Sequence, residues 1–269
     1  AILSRGSSSR RMSQPSIAVA VSGGIDSLVA GHLIRKRFEQ VFGLHFVTGY
    51  ETDRLDLRQF EKQLGFSVHT VDLSEKFESS VVQYLVKTYL SGKTPNPCLI
   101  CNTTIKFGAL LEHALKMGAD YLATGHYATA INALSCKGNK AIMPYLKTGK
   151  DPVKDQSYFL SMLSCEQLER VFFPLADMTK PQVVAYARTH GLEPIHTKES
   201  QDICFIQDEK LNDFISKRQH IAQAPGPIKD ICGNIIGHHN GLFQFTIGQR
   251  RGINCPASEP YYVKALDIK

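Results

Sequence analysis

Three short stretches carry residue types whose spacing can do chemistry. The first is SGGIDS, Ser22 to Ser27, set between an apolar run (IAVAV, 17–21) and a helix-patterned segment. Gly23 and Gly24 let the backbone close around an anion, a following helix N-terminus favours phosphate, and Ser22 and Ser27 add hydroxyl donors. This is a phosphate cradle. It is neither a Walker A loop, since no Gly-Lys-Ser/Thr follows, nor the GxGxxG dinucleotide fingerprint. The second stretch is GKTPNPCLICNTTIKFG, Gly92 to Gly108, where Pro95 and Pro97 stiffen a loop and Cys98 and Cys101 form a CxxC pair. Cys101 is expected just ahead of a helix N-terminus capped by Asn102, whose dipole would favour a thiolate. CxxC alone fits a redox pair, half a metal site or two unrelated thiols. The third is KESQDICFI, 198–206, where Cys204 has apolar neighbours and, taken alone, reads as a buried structural cysteine.

These residues need a scaffold, and the first half of the chain alternates strand and helix patterns. IAVAV, VFGLHFV (41–47), SVHTVDL (67–73) and DYLAT (120–124) read as strands. Between them, helices are predicted over Asp26–Phe38, over 53–64 with a stop at Gly65, and from a Ser74 cap with Phe77, Val81, Tyr84 and Leu85 on one face. A further helix after Asn102 places Phe107, Leu111, Ala114 and Leu115 together. The rhythm predicts an α/β fold, a doubly wound parallel sheet whose ligands sit beyond the carboxyl ends of the strands, with a small second domain. From Asp155 the pattern turns mostly helical, including Thr179–His190 with Pro181 in its first turn; beyond Cys204, Gly-, Pro-, His- and Asn-rich segments suggest the second domain. YYVKALDIK at the end alternates like a strand. The expected division is 1–16 as a tail, 17–205 as the catalytic domain, 206–258 as a small central domain, and 259–269 as the start of a truncated β-barrel.

The chain has 269 residues, 43% of them hydrophobic, enough for a packed core and against a disordered or fibrous chain. Its formal net charge of +6 hints at a polyanionic partner, but Arg5, Arg10 and Arg11, unaccompanied by any acid before Ile17, supply half of it. That tail reads as a leader or disordered extension, with a mitochondrial transit remnant as the alternative. No apolar run reaches the roughly 18 residues of a membrane span, so a cytoplasmic protein is expected, or a mitochondrial one if the tail is a transit remnant. Seven cysteines without an export signal argue against a disulfide framework, and Cys136, Cys165, Cys232 and Cys255 read as packing or surface thiols. His238 and His239 near Cys232 are poorly spaced for zinc.

Taken together the motifs are more specific than any one of them. SGGIDS resembles the PP-loop of the ATP pyrophosphatases. With GKTPNPCLICNTTIKFG, GADYLATGHYA (118–128), KDQSYFL (154–160), FPLADMTK (173–180), SQDICFI (200–206) and FTIGQRRGI (245–253), it stands in the order seen in the tRNA-specific 2-thiouridylase family. The resemblance covers residue 17 to about 269. It implies an enzyme that uses ATP and Mg²⁺ to adenylate the C2 carbonyl oxygen of a wobble uridine in tRNA, then replaces that oxygen with sulfur. On that resemblance Ala20, Val21, Ser22, Gly23, Gly24, Ile25, Asp26 and Ser27 match the ATP loop, with Asp26 near Mg²⁺ and pyrophosphate. Phe46 matches an adenine-packing position and Gly125 a nucleotide contact. Asn96, Pro97 and Cys98 match the segment that meets the target base, His126 a tRNA-adjacent position, and Lys154, Asp155 and Gln156 a tRNA-touching segment. Arg250 and Arg251, with Lys217 and Arg218, are candidates for phosphate contacts.

Cys204 matches the cysteine that carries a persulfide, and Cys101 the thiol that closes a disulfide with it as sulfur leaves. One departure matters: Cys98 stands where the better-known branch has aspartate. Cys98, Cys101 and Cys204 therefore offer three thiolates that could instead hold a [4Fe-4S] cluster with one open iron. The persulfide and cluster routes are both open at this level. The implied partners are tRNA and a sulfur donor, either a protein or sulfide, with no membrane. Two rival readings are a PP-loop amidating ligase acting on a small substrate and a non-catalytic RNA-binding module.

Overall fold

A computed structural model describes residues 14–51, 55–132, 143–195, 203–206, 211–218 and 225–267. The expected tail up to residue 13, the start of the 53–64 helix, Cys136, and 198–202 of the Cys204 motif lie outside the described residues.

The first compact unit comprises Ala1–Phe46, Leu55–Val71 and Lys106–Thr197. Its centre is β1 (Ile17–Ala20), with Ile17, Ala18 and Val19 fully buried as a central parallel strand requires. α1 (Ile25–Arg37) follows, then β2 (Val41–Val47), α2 (Leu57–Leu64) and β3 (Val68–Asp72). α1 carries Asp26 in its first turn and Arg35, Lys36 and Arg37 in its last, charges that match the helix dipole. α2 starts later than its pattern suggested, because the Asp56 carboxylate accepts from the Arg58 amide at 3.1 Å; it stops at Gly65 with φ +71°, as expected.

Ser74 does not cap the next helix: the Asp72 carboxylate accepts from both its amide and its hydroxyl, at 2.9 and 2.6 Å, and Ser74 is already helical. α3 (Ser74–Phe77) runs through a π-helical turn, Glu78–Val82, into α4 (Gln83–Leu90). The wider turn shifts the buried face, so Val82, Val86 and Tyr89 are buried as well as Phe77, Val81 and Leu85, while Tyr84 is only half-buried.

The Cys-bearing helix also starts earlier than its pattern suggested. Asn96 caps α5 (Pro97–Ile100) by accepting from the Leu99 amide at 3.4 Å, with Pro97 in the first turn where a missing N–H costs nothing. The run continues as a π-helical segment, Cys101–Leu110, into α6 (Leu111–Lys116). Asn102 is thus a buried residue inside the helix rather than its cap, and Cys98 rather than Cys101 lies in the first turn.

β4 (Tyr121–Ala123) returns to the sheet, β5 (Ala128–Ile131) and β6 (Tyr145–Thr148) form an antiparallel hairpin, and α7 (Cys165–Glu169) leads to β7 (Val171–Phe172). β1 pairs in parallel with β2 and β4, and β4 with β7, giving the sheet order β3-β2-β1-β4-β7. The expected parallel α/β sheet is therefore present, and chain order reverses between β1 and β4. The loops after these two strands flank the crevice where such sheets place ligands. α8 (Lys180–Thr189) packs Val183 and Ala187 into a core shared with Leu28, Val29 and Ile34 of α1 and Phe60 of α2.

The second compact unit comprises Val47–Arg54, Asp72–Ile105 and Lys198–Lys269. It contains α3, α4, α5, α9 (Leu211–Arg218) and an antiparallel hairpin of β8 (Gly226–Lys229) and β9 (Ile235–His239). Residues 261–267 form no strand; Val263 accepts from Gly248 at 2.7 Å and donates to Gln249 at 3.0 Å. Among the described residues no helix is long and apolar enough to cross a membrane.

Gly43 in β2 marks how closely the first unit is packed. A Cβ there would lie 2.7 Å from Cγ2 of the buried Val68. Gly43→Ala is expected to destabilise the chain by about 1–3 kcal/mol in urea unfolding, and Val68→Ala in the same chain to recover part of that loss. Additive losses would show that the two sites do not collide.

Candidate active site

The cradle is assembled where β1 hands over to α1. Val21 still donates to Leu44 on β2 at 2.8 Å, and then Gly23, with φ +96°, turns the chain into a conformation that only glycine adopts cheaply. Gly24 is the cap residue of α1, and no side chain caps the helix, so its first amides face the loop. Ser27 is buried, its hydroxyl donates to the Gly24 carbonyl at 2.9 Å and accepts from the Ser22 amide at 3.2 Å. Ser27 therefore stiffens the loop, and the hydroxyl of the exposed Ser22 donates to Ser27 Oγ at 3.2 Å. Phe46 sits half-buried near the carboxyl end of β2.

The loop after β4 closes on this turn. A Cβ on Gly125 would lie 2.8 Å from the carbonyl carbon of Asp26 and 2.9 Å from the Ser27 amide nitrogen, so a side chain here would push directly on the start of α1. Two residues on, the Tyr127 hydroxyl donates to Asp26 Oδ1 at 2.7 Å. Lys180, the first residue of α8, donates to both Asp26 oxygens, at 2.9 and 2.8 Å. Asp26 is thus fixed by a phenol and an ammonium from distant parts of the chain, and a third of its side chain stays exposed. One partly exposed carboxylate beside a phosphate cradle fits Mg²⁺, which takes one or two carboxylates and fills its other positions with water and phosphate oxygens.

Asp151 orients Lys180 in turn. It is buried and accepts from the Lys180 amide at 2.8 Å and from the Val153 and Lys154 amides at 2.9 and 3.1 Å. Those bonds, the Lys180 amide first, hold its carboxyl below the usual range. Asp155 accepts from Gly149 at 2.8 Å and from the Ser157 hydroxyl at 2.6 Å, and Gln156 exchanges hydrogen bonds with the Tyr127 backbone at 2.8 and 3.1 Å. The Asp155 side chain therefore closes the 149–157 loop on itself, and Gln156 holds that loop against the loop after β4, with the half-buried Lys154 beside them.

His126 is buried between Phe107 and Phe173, with ring centroids at 5.7 and 5.9 Å. Burial, reinforced by the charge of Lys106, pushes its pKa well below that of an ordinary histidine, so the ring is neutral near pH 7. Lys106 can only donate, which makes Nε2, 3.5 Å away, the acceptor and leaves the proton on Nδ1, 2.7 Å from the Thr124 hydroxyl.

The thiol candidates belong to the second unit. Cys98 and Cys204 are exposed, Cys101 is half-buried, and all three are thiols. Cys204 is thus not the buried structural cysteine that its apolar neighbours suggested, because Phe205 is buried and the sulfur is not. Among the described residues no group of three His, Cys, Asp or Glu side chains is placed to hold a single metal ion. Arg250 and Arg251 are exposed, whereas Arg218 is occupied by partners within its own unit.

Sequence reasoning assigned no role to Tyr127, Asp151 or Lys180. Tyr127 and Lys180 lie within two of the quoted motifs, GADYLATGHYA and FPLADMTK, and that membership was the available signal.

Comparison with known proteins bears on the whole arrangement. A family model described as tRNA methyl transferase HUP domain matches residues 15–208, and one described as tRNA methyl transferase PRC-barrel domain matches 212–269. The chain is 51% identical over 258 residues to the tRNA-specific 2-thiouridylase MnmA of Desulfosudis oleivorans, covering 95% of this chain and 70% of that protein. It is 43% identical over 228 residues to MnmA 2 of Syntrophus aciditrophicus, covering 84% and 65%. For MnmA of Nitratidesulfovibrio vulgaris (strain DP4) the identity is 42% over 257 residues, covering 94% and 72%. With 95% of its length matched to a 51% identical relative, the chain belongs to the tRNA-specific 2-thiouridylase family.

Proposed function

We propose that this chain is a tRNA-uridine 2-sulfurtransferase that adenylates the C2 carbonyl oxygen of a wobble uridine with ATP and exchanges that oxygen for sulfur. The observation that carries the reading is Asp26, held at the cradle by Lys180 and Tyr127, in a chain whose relatives are named tRNA-specific 2-thiouridylases. In this reading the amides at the start of α1 and the Ser22 hydroxyl receive the triphosphate. Asp26 would hold Mg²⁺ beside the cradle, where the ion would supply charge neutralisation for pyrophosphate departure. Lys180 adds a fixed cation at the same place, and Gly125, lacking a side chain, lets the loop after β4 close against the start of α1. Uridine O2 attacks the α-phosphorus, the bond to the β-phosphate oxygen breaks, and pyrophosphate leaves.

Sulfur transfer then needs two thiols. A donor persulfide or polysulfide passes its sulfane sulfur to the Cys204 thiolate and leaves as the thiolate or shortened polysulfide; the terminal sulfur of the resulting Cys204 persulfide then attacks C2 and expels AMP. Cys101 thiolate attacks the Cys204 sulfur, the sulfur–sulfur bond breaks, and 2-thiouridine departs with that electron pair as Cys101 and Cys204 become a disulfide. A thiol reductant restores both thiols. The alternative route is a [4Fe-4S] cluster held by Cys98, Cys101 and Cys204, which iron and acid-labile sulfide content distinguishes from the persulfide. Asn96, Pro97 and Cys98 meet the target base. Lys154, Asp155 and Gln156 contact tRNA, the buried His126 is tRNA-adjacent, and Arg250 and Arg251 meet phosphates.

Three outcomes are expected. Lys180→Ala and Asp26→Ala lower tRNA-dependent pyrophosphate release by roughly 10²-fold or more, whereas Tyr127→Phe, which leaves the ion pair, costs less. Wild-type release in Lys180→Ala would remove it from the adenylation step. Cys204→Ser and Cys101→Ser abolish 2-thiouridine formation, measured by nucleoside mass spectrometry, while pyrophosphate release continues; thiolation by Cys204→Ser would overturn the carrier assignment. Anaerobically purified protein is expected to contain no stoichiometric iron or acid-labile sulfide, and a bound cluster required for thiolation would replace the persulfide route. Full turnover on a small carboxylate without RNA would overturn the proposed function itself.

A further inference from the structure

The turn that bears Cys204 hangs on one ring. The Ile206 amide donates to the Ile203 carbonyl at 2.9 Å, which puts Cys204 and Phe205 at the two corner positions of a four-residue turn. Their side chains part company: Cys204 is exposed, whereas Phe205 is only 6% exposed. Phe205 meets Phe77 edge-on at 5.2 Å between centroids, and Tyr50 and Phe214 each at 5.6 Å. These three rings come from the loop after β2, the end of α3, and α9.

Ring packing tolerates several offsets of similar energy, so packing alone would seat Phe205 without fixing its position. A polar rim removes that freedom. The Tyr50 hydroxyl donates to the Glu78 carboxylate and accepts from Arg218 Nη2 at 2.7 Å. Arg218 also lies 3.6 Å above the Phe214 ring centroid, and its Nε stands 4.0 Å from Glu78 Oε1. One phenol thereby ties together two oppositely charged side chains that reach it from the π-helical turn and from α9. An exposed ion pair of this kind contributes little to stability. Its directional bonds, however, set the angle of the ring against which Phe205 packs.

We infer that Tyr50, Glu78 and Arg218 are positioning residues for sulfur transfer: they align the aromatic nest that seats Phe205 and so fix where Cys204 presents its sulfur. The inference rests on the assignment of Cys204 as the sulfur carrier. A displacement of about 1 Å of a reacting group can cost on the order of 10²-fold in rate, so a loosened nest should slow sulfur transfer without touching adenylation.

The test uses the full chain with ATP, substrate tRNA and inorganic polysulfide as sulfur source. Tyr50→Phe keeps the ring and removes only the bridging hydroxyl. It is expected to lower 2-thiouridine formation about tenfold, with pyrophosphate release and the KM values for ATP and tRNA unchanged. Arg218→Lys, which keeps the charge and loses the fork, should act in the same direction, and Phe205→Leu should lose more. Wild-type thiolation in Tyr50→Phe would overturn the proposal, and so would a parallel fall in pyrophosphate release, which would mark a general loss of structure. Thiolation that persists in Cys204→Ser would overturn the carrier assignment instead. Loss in Cys204→Ser beside wild-type activity in Tyr50→Phe would reject the nest alone.

Discussion

The ion pair between Asp26 and Lys180 is the constraint around which the first unit is organised. Lys180 opens a helix, where the dipole disfavours a cation by about 0.3–1 kcal/mol, and Asp26 offsets that cost. Asp26 in turn lies in the first turn of α1, where an anion is favoured. The pair thus fastens the start of α8 to the start of α1. An exposed pair would contribute little, but here the lysine side chain is 16% exposed and a tyrosine hydroxyl shares the carboxylate. Asp151 holds the Lys180 backbone from the other side, and Gly125 leaves the space in which the loops meet.

The parts of this arrangement differ in how legible they were in the sequence. β1, α1 and β2 stand close to where apolar runs and turn residues placed them, because a buried central strand has to be apolar on both faces. β7 escaped detection because two residues, Val171 and Phe172, have no periodicity to read. The helix beginning at Pro97 was hidden by its own prolines, which read as loop although one of them occupies the only helical turn that accepts it. The π-helical segments had no sequence signature either. The convergence of Tyr127 and Lys180 on Asp26 joins residues 101 and 154 positions apart, a distance over which local patterning carries no information.

The second unit shows the complementary case. Cys204 looked like a core cysteine because its neighbours are apolar, and one of them, Phe205, is indeed what the fold buries; the turn leaves Cys204 exposed beside it. Arg218 looked like a surface cation suited to phosphate, yet its guanidinium lies flat on Phe214 and bonds to Tyr50. In both places residue type was read correctly and direction was not, since direction at a turn or helix end depends on the three-dimensional path.

The π-helical turn at Glu78–Val82 makes this segment sensitive to length rather than to composition. An α-helix advances about 100° per residue, and a π turn accommodates one residue more than an α turn. Deleting a single residue here would leave a regular helix with every side chain chemically intact. It would also swing Phe77 and Glu78 by roughly a quarter turn relative to α4. The extra residue acts as a phase adjustment between two stretches of helix, and a shortened segment would lose that phase while gaining ideal geometry.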